Sequence, residues 1–163
     1  MNCPEDLLRF VSNVEGYPVF INLLSAVRVT NRRRVGDLET FEAEVTVSYK
    51  FFSEKFRSFI RIDHAKNEID VSRASRRGAV RFLKNRWVFH ELSDGSSLVD
   101  FSVDVRLKAL PLEMILRRKF YKAAVHMIGL FETRARQVYP EVGDSDLDLK
   151  AEYKRLNLRE PAA

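Results

Sequence analysis

The sequence predicts an α+β fold in which a curved antiparallel sheet wraps around one long C-terminal helix. Residues 41–50 and residues 99–107 alternate between apolar and polar side chains, a pattern typical of strands with one buried face. A further strand carries Trp87 and Phe89 at alternate positions. Residues 111–139 then keep an unbroken helical pattern of apolar residues. We expect this helix to lie across the concave face of the sheet and to leave space for an apolar guest.

The N-terminal part of the chain predicts two short helices and a first strand. Pro4 is followed by two acidic residues, which is a signal for the start of a helix. Residues 16–18 read Gly-Tyr-Pro, which ends that helix and allows Pro18 to begin a second one. The apolar period then changes to two, which predicts a strand around Val29 and a turn over residues 32–37.

The middle of the chain predicts further strands that lead into the last helix. Apolar residues alternate over residues 56–62, residues 68–72 form a short strand, and residues 73–78 form a basic connection. Ser-Asp-Gly at residues 93–95 is typical of a hairpin turn. At ~1.5 Å per residue, the helix predicted over residues 111–139 would be about 40 Å long.

The segment after residue 139 differs from the rest of the chain. Residues 140–163 hold six acidic and four basic side chains, whereas the whole chain has a net charge of +5. Apolar residues between positions 147 and 158 predict a short helix that docks on the main body. We therefore divide the chain into a ligand-binding domain at residues 1–139 and a polar C-terminal tail at residues 140–163.

Composition indicates a single-domain protein of a reducing compartment. A chain of 163 residues buries roughly two-thirds of its unfolded surface, and 45% hydrophobic with 31% charged residues is ordinary for a globular domain. Cys3 is the single cysteine, so an internal disulfide is excluded. No apolar run approaches the ~20 residues that cross a bilayer, and the N-terminus lacks a signal-peptide pattern.

The sequence contains no recognisable catalytic constellation. His64, His90 and His126 are scattered, and none has metal-ligand spacing from another histidine or from Cys3. The six glycines are separate from one another, which excludes a glycine-rich phosphate loop. We therefore expect a binding protein rather than an enzyme, with no metal.

Basic residues are concentrated in three clusters that suit an anionic partner. Residues 71–89 contain six basic side chains and no acidic one, a second cluster is formed by residues 32–34, and a third lies early in the last helix. Such clusters are typical of surfaces that meet anionic lipid head groups or RNA phosphates, and a solvated surface explains them equally well. The residues predicted to contact membrane or RNA are Arg73, Arg76, Arg77, Arg81, Arg117, Arg118, Lys119 and Lys122.

The aromatic content predicts an apolar cavity. Twelve phenylalanines are more than a two-layer domain needs to hold together, although a solid core explains each of them singly. Aromatic and methionine side chains are the usual lining of pockets for apolar ligands. The candidate lining residues, chosen by the direction in which they face, are Val45, Val47, Ile60, Leu83, Trp87, Phe101, Val103, Phe120, Met127 and Phe131.

Four short motifs follow one another in a specific order. Residues 15–20 contain a Tyr-Pro-x-Phe turn, residues 78–89 combine Gly, Leu, Asn, Trp and Phe on one strand, and residues 99–101 read Val-Asp-Phe. Residues 131–135 read Phe-Glu-Thr-Arg-Ala and are followed by Tyr139. Together these motifs resemble the coenzyme Q-binding START-like family, whose wider group is the polyketide cyclase/dehydrase, or SRPBCC-type, helix-grip superfamily.

The resemblance implies a helix-grip (START-like) fold with a seven-stranded antiparallel sheet curled around the C-terminal helix. It implies non-enzymatic binding of ubiquinone or a similar isoprenoid lipid, in support of respiratory electron transfer, with no cofactor besides the bound lipid. The location implied is cytoplasmic, with peripheral contact to the inner membrane. Two alternatives stay open: a toxin-like ribosome-association regulator that binds ribosomal subunits, and a polyketide cyclase/aromatase-like enzyme.

The chain departs from the family pattern at both ends. The family begins with a strand before its first helix, whereas the helix predicted at Pro4 begins almost at Met1. That strand would pair with residues 98–107, so we expect an upstream start, the tail or a second copy of the chain to occupy this edge. The tail after Tyr139 also exceeds the usual end of the family.

Overall fold

The computed structural model describes residues 2–49, 52–108 and 110–160, without the side chains of Tyr49, Phe52 and residues 110–120. Within these residues it contains a six-stranded antiparallel sheet in the order β1-β2-β3-β4-β5-β6. A long helix follows the last strand, which confirms the predicted helix-grip architecture. The elements are α1 (Pro4–Ser12), a 3₁₀ helix (Val14–Val19), β1 (Leu24–Val35), β2 (Leu38–Tyr49), β3 (Phe52–Asp63), β4 (Glu68–Ala74), β5 (Val80–Glu91), β6 (Ser97–Leu107), α2 (Leu110–Val138) and α3 (Leu149–Arg155).

Tight turns let each strand pair with the next one in sequence. The β1–β2 turn contains Gly36, whose φ is 59°, and the β5–β6 turn contains Gly95, whose φ is 78°. Glycine adopts this left-handed conformation without the steric cost that a side chain brings. The Ser-Asp-Gly hairpin prediction is therefore confirmed. In the resulting meander, alternate residues of every strand share the concave face.

The predicted turn over residues 32–37 is wrong, because β1 runs to Val35 and the next two residues form the turn. The register with β2 shifts in the bulge around Asn31, whose φ is 55°. A bulge bends a strand locally and lets it continue with a changed register. Arg32 is fixed in the strand by Glu39, whose carboxylate lies 3.1 Å from the guanidinium group.

The first helix begins at Pro4 as predicted, but the second prediction is wrong, because Pro18 lies inside the 3₁₀ helix instead of opening an α-helix. The Tyr17 hydroxyl donates a hydrogen bond to the backbone carbonyl of Val11 and holds this segment against α1. Burial raises the pKa of the Tyr17 phenol above its usual range, so the hydroxyl keeps the proton that it donates.

The core lies between the concave face of the sheet and helices α1 and α2. Buried side chains of the sheet include Phe41, Ile60 and Ile69, and the end of α2 adds Phe131 and Ala135. The Phe131 ring is the centre of an aromatic cluster that joins α1, the 3₁₀ helix, β5 and α2. Its centroid lies 5.9 Å from that of Phe10, 5.0 Å from Tyr17, 5.2 Å from Phe20 and 5.2 Å from Trp87.

The C-terminal tail docks on the turn between β5 and β6 through the predicted short helix, α3. The buried Glu152 carboxylate accepts hydrogen bonds from the backbone N–H of Ser93 at 3.1 Å and from its hydroxyl at 2.8 Å. Arg155 pairs with the same carboxylate at 2.6 Å and donates to the Glu91 carbonyl at 2.8 Å. These bonds fix the tail at the hairpin turn.

Candidate ligand-binding cavity

A cavity of about 220 Å³, partly open to solvent, lies between α1, strands β5 and β6, and helix α2. Four different elements contribute to its walls, so no single stretch of sequence forms it. The walls are apolar apart from the rim and a few paired polar groups. Its main apolar lining residues are Leu7, Phe10, Trp87, Val99, Ile128 and Phe131.

Strand and helix periodicity direct these side chains into the cavity. Trp87 and Phe89 are two residues apart on β5, so both face the concave side of the sheet. Val99 lies opposite Phe89 in the β5–β6 ladder and therefore shares that face. On α2, Ile128 and Phe131 are three residues apart and lie on one side of the helix.

The Trp87 indole forms a wall that is packed from two sides. Its ring centroid lies 4.3 Å from that of Phe101 on the neighbouring strand and 5.2 Å from that of Phe131 on α2. A third ring, Phe89, stacks at 6.3 Å. Such packing leaves the indole few alternative rotamers, so this wall of the cavity is preformed.

The polar groups of the cavity wall are paired with one another. The Ser97 hydroxyl donates to the carbonyl of Asn2 at 2.8 Å, and the Asn2 amide donates to the carbonyls of residues 139 and 140. At the rim, Arg136 pairs with Glu132 at 2.8 Å and with Glu141 at 2.8 Å. The hydrogen bond to Glu132 raises the pKa of the Arg136 guanidinium, so Arg136 stays charged. Because these polar groups are paired, the interior of the cavity suits an apolar ligand.

The structure brings two of the ten predicted lining residues, Trp87 and Phe131, into the cavity wall. Phe101 packs behind Trp87, Ile60 is buried in the core, and Val45 and Met127 pack against that core. Their role in binding stays a prediction. Val47, Leu83 and Val103 are half-buried, and the side chain of Phe120 lies outside the described residues.

Sequence reasoning missed the contribution of α1 and of the strand ends to the cavity. Leu7 and Phe10 line it from α1, and Val99 and Ile128 line it from β6 and α2. Helical spacing already marked Leu7 as an inward-facing residue, and strand alternation marked Val99. The sequence held no signal that α1 would lie beside β5, because only the three-dimensional packing brings those elements together.

Two polar side chains on the concave face have buried atoms without a hydrogen-bond partner among the described residues, Ser58 Oγ and Asn85 Oδ1. Ser58 is 4% exposed and belongs to β3. Asn85 precedes Trp87 by two residues on β5 and so faces the same side. Buried polar atoms cost free energy unless they are bonded, so both are candidate contacts for a polar group of a ligand.

The predicted basic contacts have different surroundings. Arg73 lies in β4, which extends to Ala74, and its guanidinium donates to the carbonyls of Arg57 at 2.9 Å and Val80 at 3.0 Å. Arg76, Arg77 and Lys122 are exposed, and Arg81 is half-buried. The side chains of Arg117, Arg118 and Lys119 lie outside the described residues. These contacts with membrane or RNA stay predictions.

The described residues contain no cluster of three or more His, Cys, Asp or Glu side chains that could hold a metal ion. The His64 Nε2 atom lies 3.0 Å from a Glu39 carboxylate oxygen, and neither residue lines the cavity. Among the described helices, none is both long and apolar enough to cross a membrane. The cavity is therefore the main candidate for a functional site.

The model of one protein family, described as polyketide cyclase/dehydrase and lipid transport, matches residues 3–132. The chain belongs to this family. The match spans α1, the whole sheet and most of α2, which are the elements that build the cavity. None of the curated proteins compared with the chain matched it.

One solved structure supports this assignment, and two others share the fold. An 18 kDa protein from Caulobacter crescentus is 31% identical, with a TM-score of 0.67 over 84% of this chain and 90% of that one. A START superfamily protein from Mycobacterium smegmatis is 18% identical, with a TM-score of 0.66 over 84% and 92%. An aromatase/cyclase from a Streptomyces species is 12% identical, with a TM-score of 0.63 over 83% and 88%. The last two show the fold alone.

Proposed function

We propose that the protein binds an apolar lipid, of the ubiquinone or similar isoprenoid class, without transforming it. The observation that carries this proposal is the apolar cavity between α1, β5, β6 and α2, whose polar wall groups are paired with one another. Membership of a family described by cyclases and lipid transport supports a ligand in this place. The resemblance of the four sequence motifs to coenzyme Q-binding proteins supports the quinone class.

The size of the cavity determines how much of such a lipid it holds. Pockets that enclose drug-sized ligands have about 300–1,000 Å³, so about 220 Å³ encloses a ring or a short piece of isoprenoid chain. Burial contributes ~0.8 kcal/mol per CH₂ group, so five such groups contribute about 4 kcal/mol. The protein would therefore hold one end of a long lipid, and the rest would extend beyond the cavity.

A polar head group has candidate contacts on the concave face of the sheet, outside the residues that line the cavity. The Asn85 amide oxygen accepts hydrogen bonds, and the Ser58 hydroxyl can donate one to a quinone carbonyl. Asn85 lies about 7 Å along β5 from Trp87, since a strand rises ~3.3 Å per residue. Because Asn85 Oδ1 only accepts, it suits a hydroxyl group of the reduced, quinol form of a ring seated near Trp87.

Tryptophan fluorescence gives a direct test, because Trp87 is the single tryptophan of the chain and lines the cavity. We expect saturable quenching when ubiquinone with a short isoprenoid chain is added. Ile128→Asp, which places a charge at the cavity wall, should weaken binding at least about tenfold, because a ligand seated against this wall would remove water from the charge without pairing it. Val125→Asp is the matched control, since Val125 is exposed on the same helix outside the wall.

Four outcomes would contradict the proposal. Quenching that does not saturate, or equal losses in Ile128→Asp and Val125→Asp, would remove the cavity as the binding site. Co-sedimentation with ribosomal subunits that depends on Arg76 and Arg77, in the absence of quinone binding, would favour the ribosome-association regulator. Conversion of a linear polyketide by the purified protein would favour the cyclase.

A further inference from the structure

Arg73 of β4 faces the concave side of the sheet, where its neighbours on the same strand are apolar. Ile69 belongs to the core and Val71 packs against it, and side chains at alternate positions of a strand share a face. The guanidinium group lies over the Phe56 ring, with its central carbon 5.3 Å from the ring centroid. Phe56 alternates in turn with Ile60, which is buried on the concave face. A charged side chain is therefore directed to the interior side of the sheet.

This guanidinium group has no carboxylate partner among the described residues. It donates to three backbone carbonyls, those of Val80 at 3.0 Å, Arg57 at 2.9 Å and Arg77 at 3.4 Å. These bonds use three of the five N–H groups of a guanidinium, which leaves two. Glu54, on the same face, accepts instead from the backbone N–H groups of residues 79 and 80, at 2.7 and 3.3 Å. A positive charge on an interior face is usually matched by an anion, and the described part of the chain supplies none here.

A buried hydroxyl group lies beside Arg73. Phe59 pairs with Ser72 in the β3–β4 ladder, so Ser58 and Arg73 are the next residues along these two strands. Ser58 is 4% exposed, and its Oγ atom has no hydrogen-bond partner among the described residues. Such an atom costs free energy in the free protein, and a ligand group that accepts a hydrogen bond from it removes that cost. The concave face therefore holds an unused donor next to an unmatched cation.

Solvent reaches this part of the concave face. Ile62 and Ile69, farther along β3 and β4, are 0% and 2% exposed. In contrast, Leu83, which lies directly opposite Arg73 on β5, is half-buried, and so is Val71 on β4. Apolar side chains that keep some contact with solvent, beside a cation and a donor, suit a ligand that has an apolar body and an anionic end.

We propose that Arg73 and Ser58 form a subsite that binds the carboxylate of an apolar acid. The two remaining N–H groups of the guanidinium can donate to the carboxylate oxygens, and the Ser58 hydroxyl can donate a further hydrogen bond. Asn85 Oδ1 lies on the same face but only accepts, so it takes no part in binding the anion. The apolar part of the acid then packs against Leu83 and Val71.

This subsite rests on the proposed function in one respect, namely that a ligand enters between the sheet and α2. Trp87 pairs with Ile69, and Arg73 follows four residues later on β4, so the two sites are about 13 Å apart along the strand at ~3.3 Å per residue. Binding of the carboxylate is measured without a quinone. It can therefore fail while quinone binding at the cavity holds, and the reverse.

Calorimetric titration with two probes of equal chain length tests the subsite. Decanoate should bind to the wild type at least about tenfold more tightly than decan-1-ol, because only decanoate carries a negative charge for Arg73. Arg73→Gln should lower the affinity for decanoate to that for decan-1-ol. Arg76→Gln is the matched control, since Arg76 is exposed in the loop after β4, and it should keep the wild-type difference.

Ser58→Ala separates a binding role from a structural one without touching the carbonyl contacts of Arg73. The variant removes a buried hydroxyl that lacks a partner, so the free protein should melt at the same or a higher temperature. Its affinity for decanoate should nevertheless fall about tenfold, because a donor to the carboxylate is lost. Equal binding of decanoate and decan-1-ol by the wild type, wild-type decanoate binding by folded Arg73→Gln, or a Ser58→Ala protein that melts lower and binds decanoate as before would overturn the proposal.

Discussion

The two sides of Phe131 differ in how their space is filled. Toward the 3₁₀ helix, the rings of Tyr17 and Phe20 lie 5.0 and 5.2 Å away and fill the volume. Toward β5 and β6, the Trp87 ring lies at a similar 5.2 Å, yet about 220 Å³ between the neighbouring side chains is empty. The two sides of Phe131 therefore have a similar aromatic content. They differ in the element that covers them. The 3₁₀ helix closes one side, whereas the other side ends at β6, the last strand of the described sheet.

The largest effect is expected from removing the ring that both sides share. Phe131→Ala deletes contacts with four aromatic rings at a position that is 7% exposed. We expect the free energy of unfolding to fall by about 3–5 kcal/mol, as for other buried phenylalanines. Urea denaturation followed by circular dichroism measures this change. A loss below about 1 kcal/mol would mean that the aromatic cluster is not the centre of the core.

The same substitution at two valines should separate the filled side from the empty one. Val14→Phe introduces a ring into the packed region near the 3₁₀ helix and should lower the free energy of unfolding by about 1–3 kcal/mol. Val99→Phe places the ring beside the cavity, where there is room, and should change stability by less than about 0.5 kcal/mol.

Ligand binding should respond to these two variants in the opposite order. Val99→Phe occupies cavity volume and should abolish quinone-induced quenching of Trp87. Val14→Phe leaves the cavity wall unchanged and should retain quenching as long as the protein is folded. Equal destabilisation by both variants would show that the two sides of Phe131 are packed alike, and the comparison between them would fail.

The smallest effect concerns the tail, which covers the β5–β6 turn close to the empty side. The hydrogen bonds from Arg155 and Ser93 lower the pKa of Glu152, and those from Ser96 and Asp144 lower the pKa of Asp94 to about 2. Carboxyl groups whose pKa is lowered by folding stabilise the folded state above their unfolded pKa, and this contribution is lost as the pH falls through the folded pKa. The tail should therefore stay docked at neutral pH and loosen as the pH falls below about 4 toward 2.

Amide hydrogen exchange of α3 as a function of pH measures this loosening. Glu152→Gln should speed the exchange of α3 already at neutral pH, because the carboxylate that accepts from Ser93 and Arg155 is lost. Glu160→Gln is the control, since Glu160 is an exposed residue of the same tail. An α3 that is protected equally in both variants would show that Glu152 does not hold the tail.

The fold was largely predictable because its signals are local. Strict alternation over residues 41–49 and the helical pattern of α2 each specify an element and its buried face. The extension of β1 past Asn31 was missed, since the bulge and the Arg32–Glu39 pair depend on the neighbouring strand. The 3₁₀ helix was missed for a similar reason, because the Tyr17 hydroxyl bonds to α1.

The site was less predictable than the fold. The side-chain direction that periodicity predicts was enough to identify Trp87 and Phe131 as cavity residues, because each belongs to one strongly periodic element. Phe10 and Val99 were missed, since a cavity is the volume that packing leaves empty and depends on how α1 and β6 approach α2. Periodicity gives the direction of a side chain and not the distance to the next element.

Extraction of the purified protein with organic solvent, followed by mass spectrometry of the extract, tests the central claim most directly. The claim is that the cavity beside Trp87 holds an isoprenoid quinone or a similar lipid. The account predicts such a lipid in near-equimolar amount in the wild type and its loss from folded Val99→Phe. An extract free of apolar ligand, or equal amounts of lipid from wild type and Val99→Phe, would contradict it.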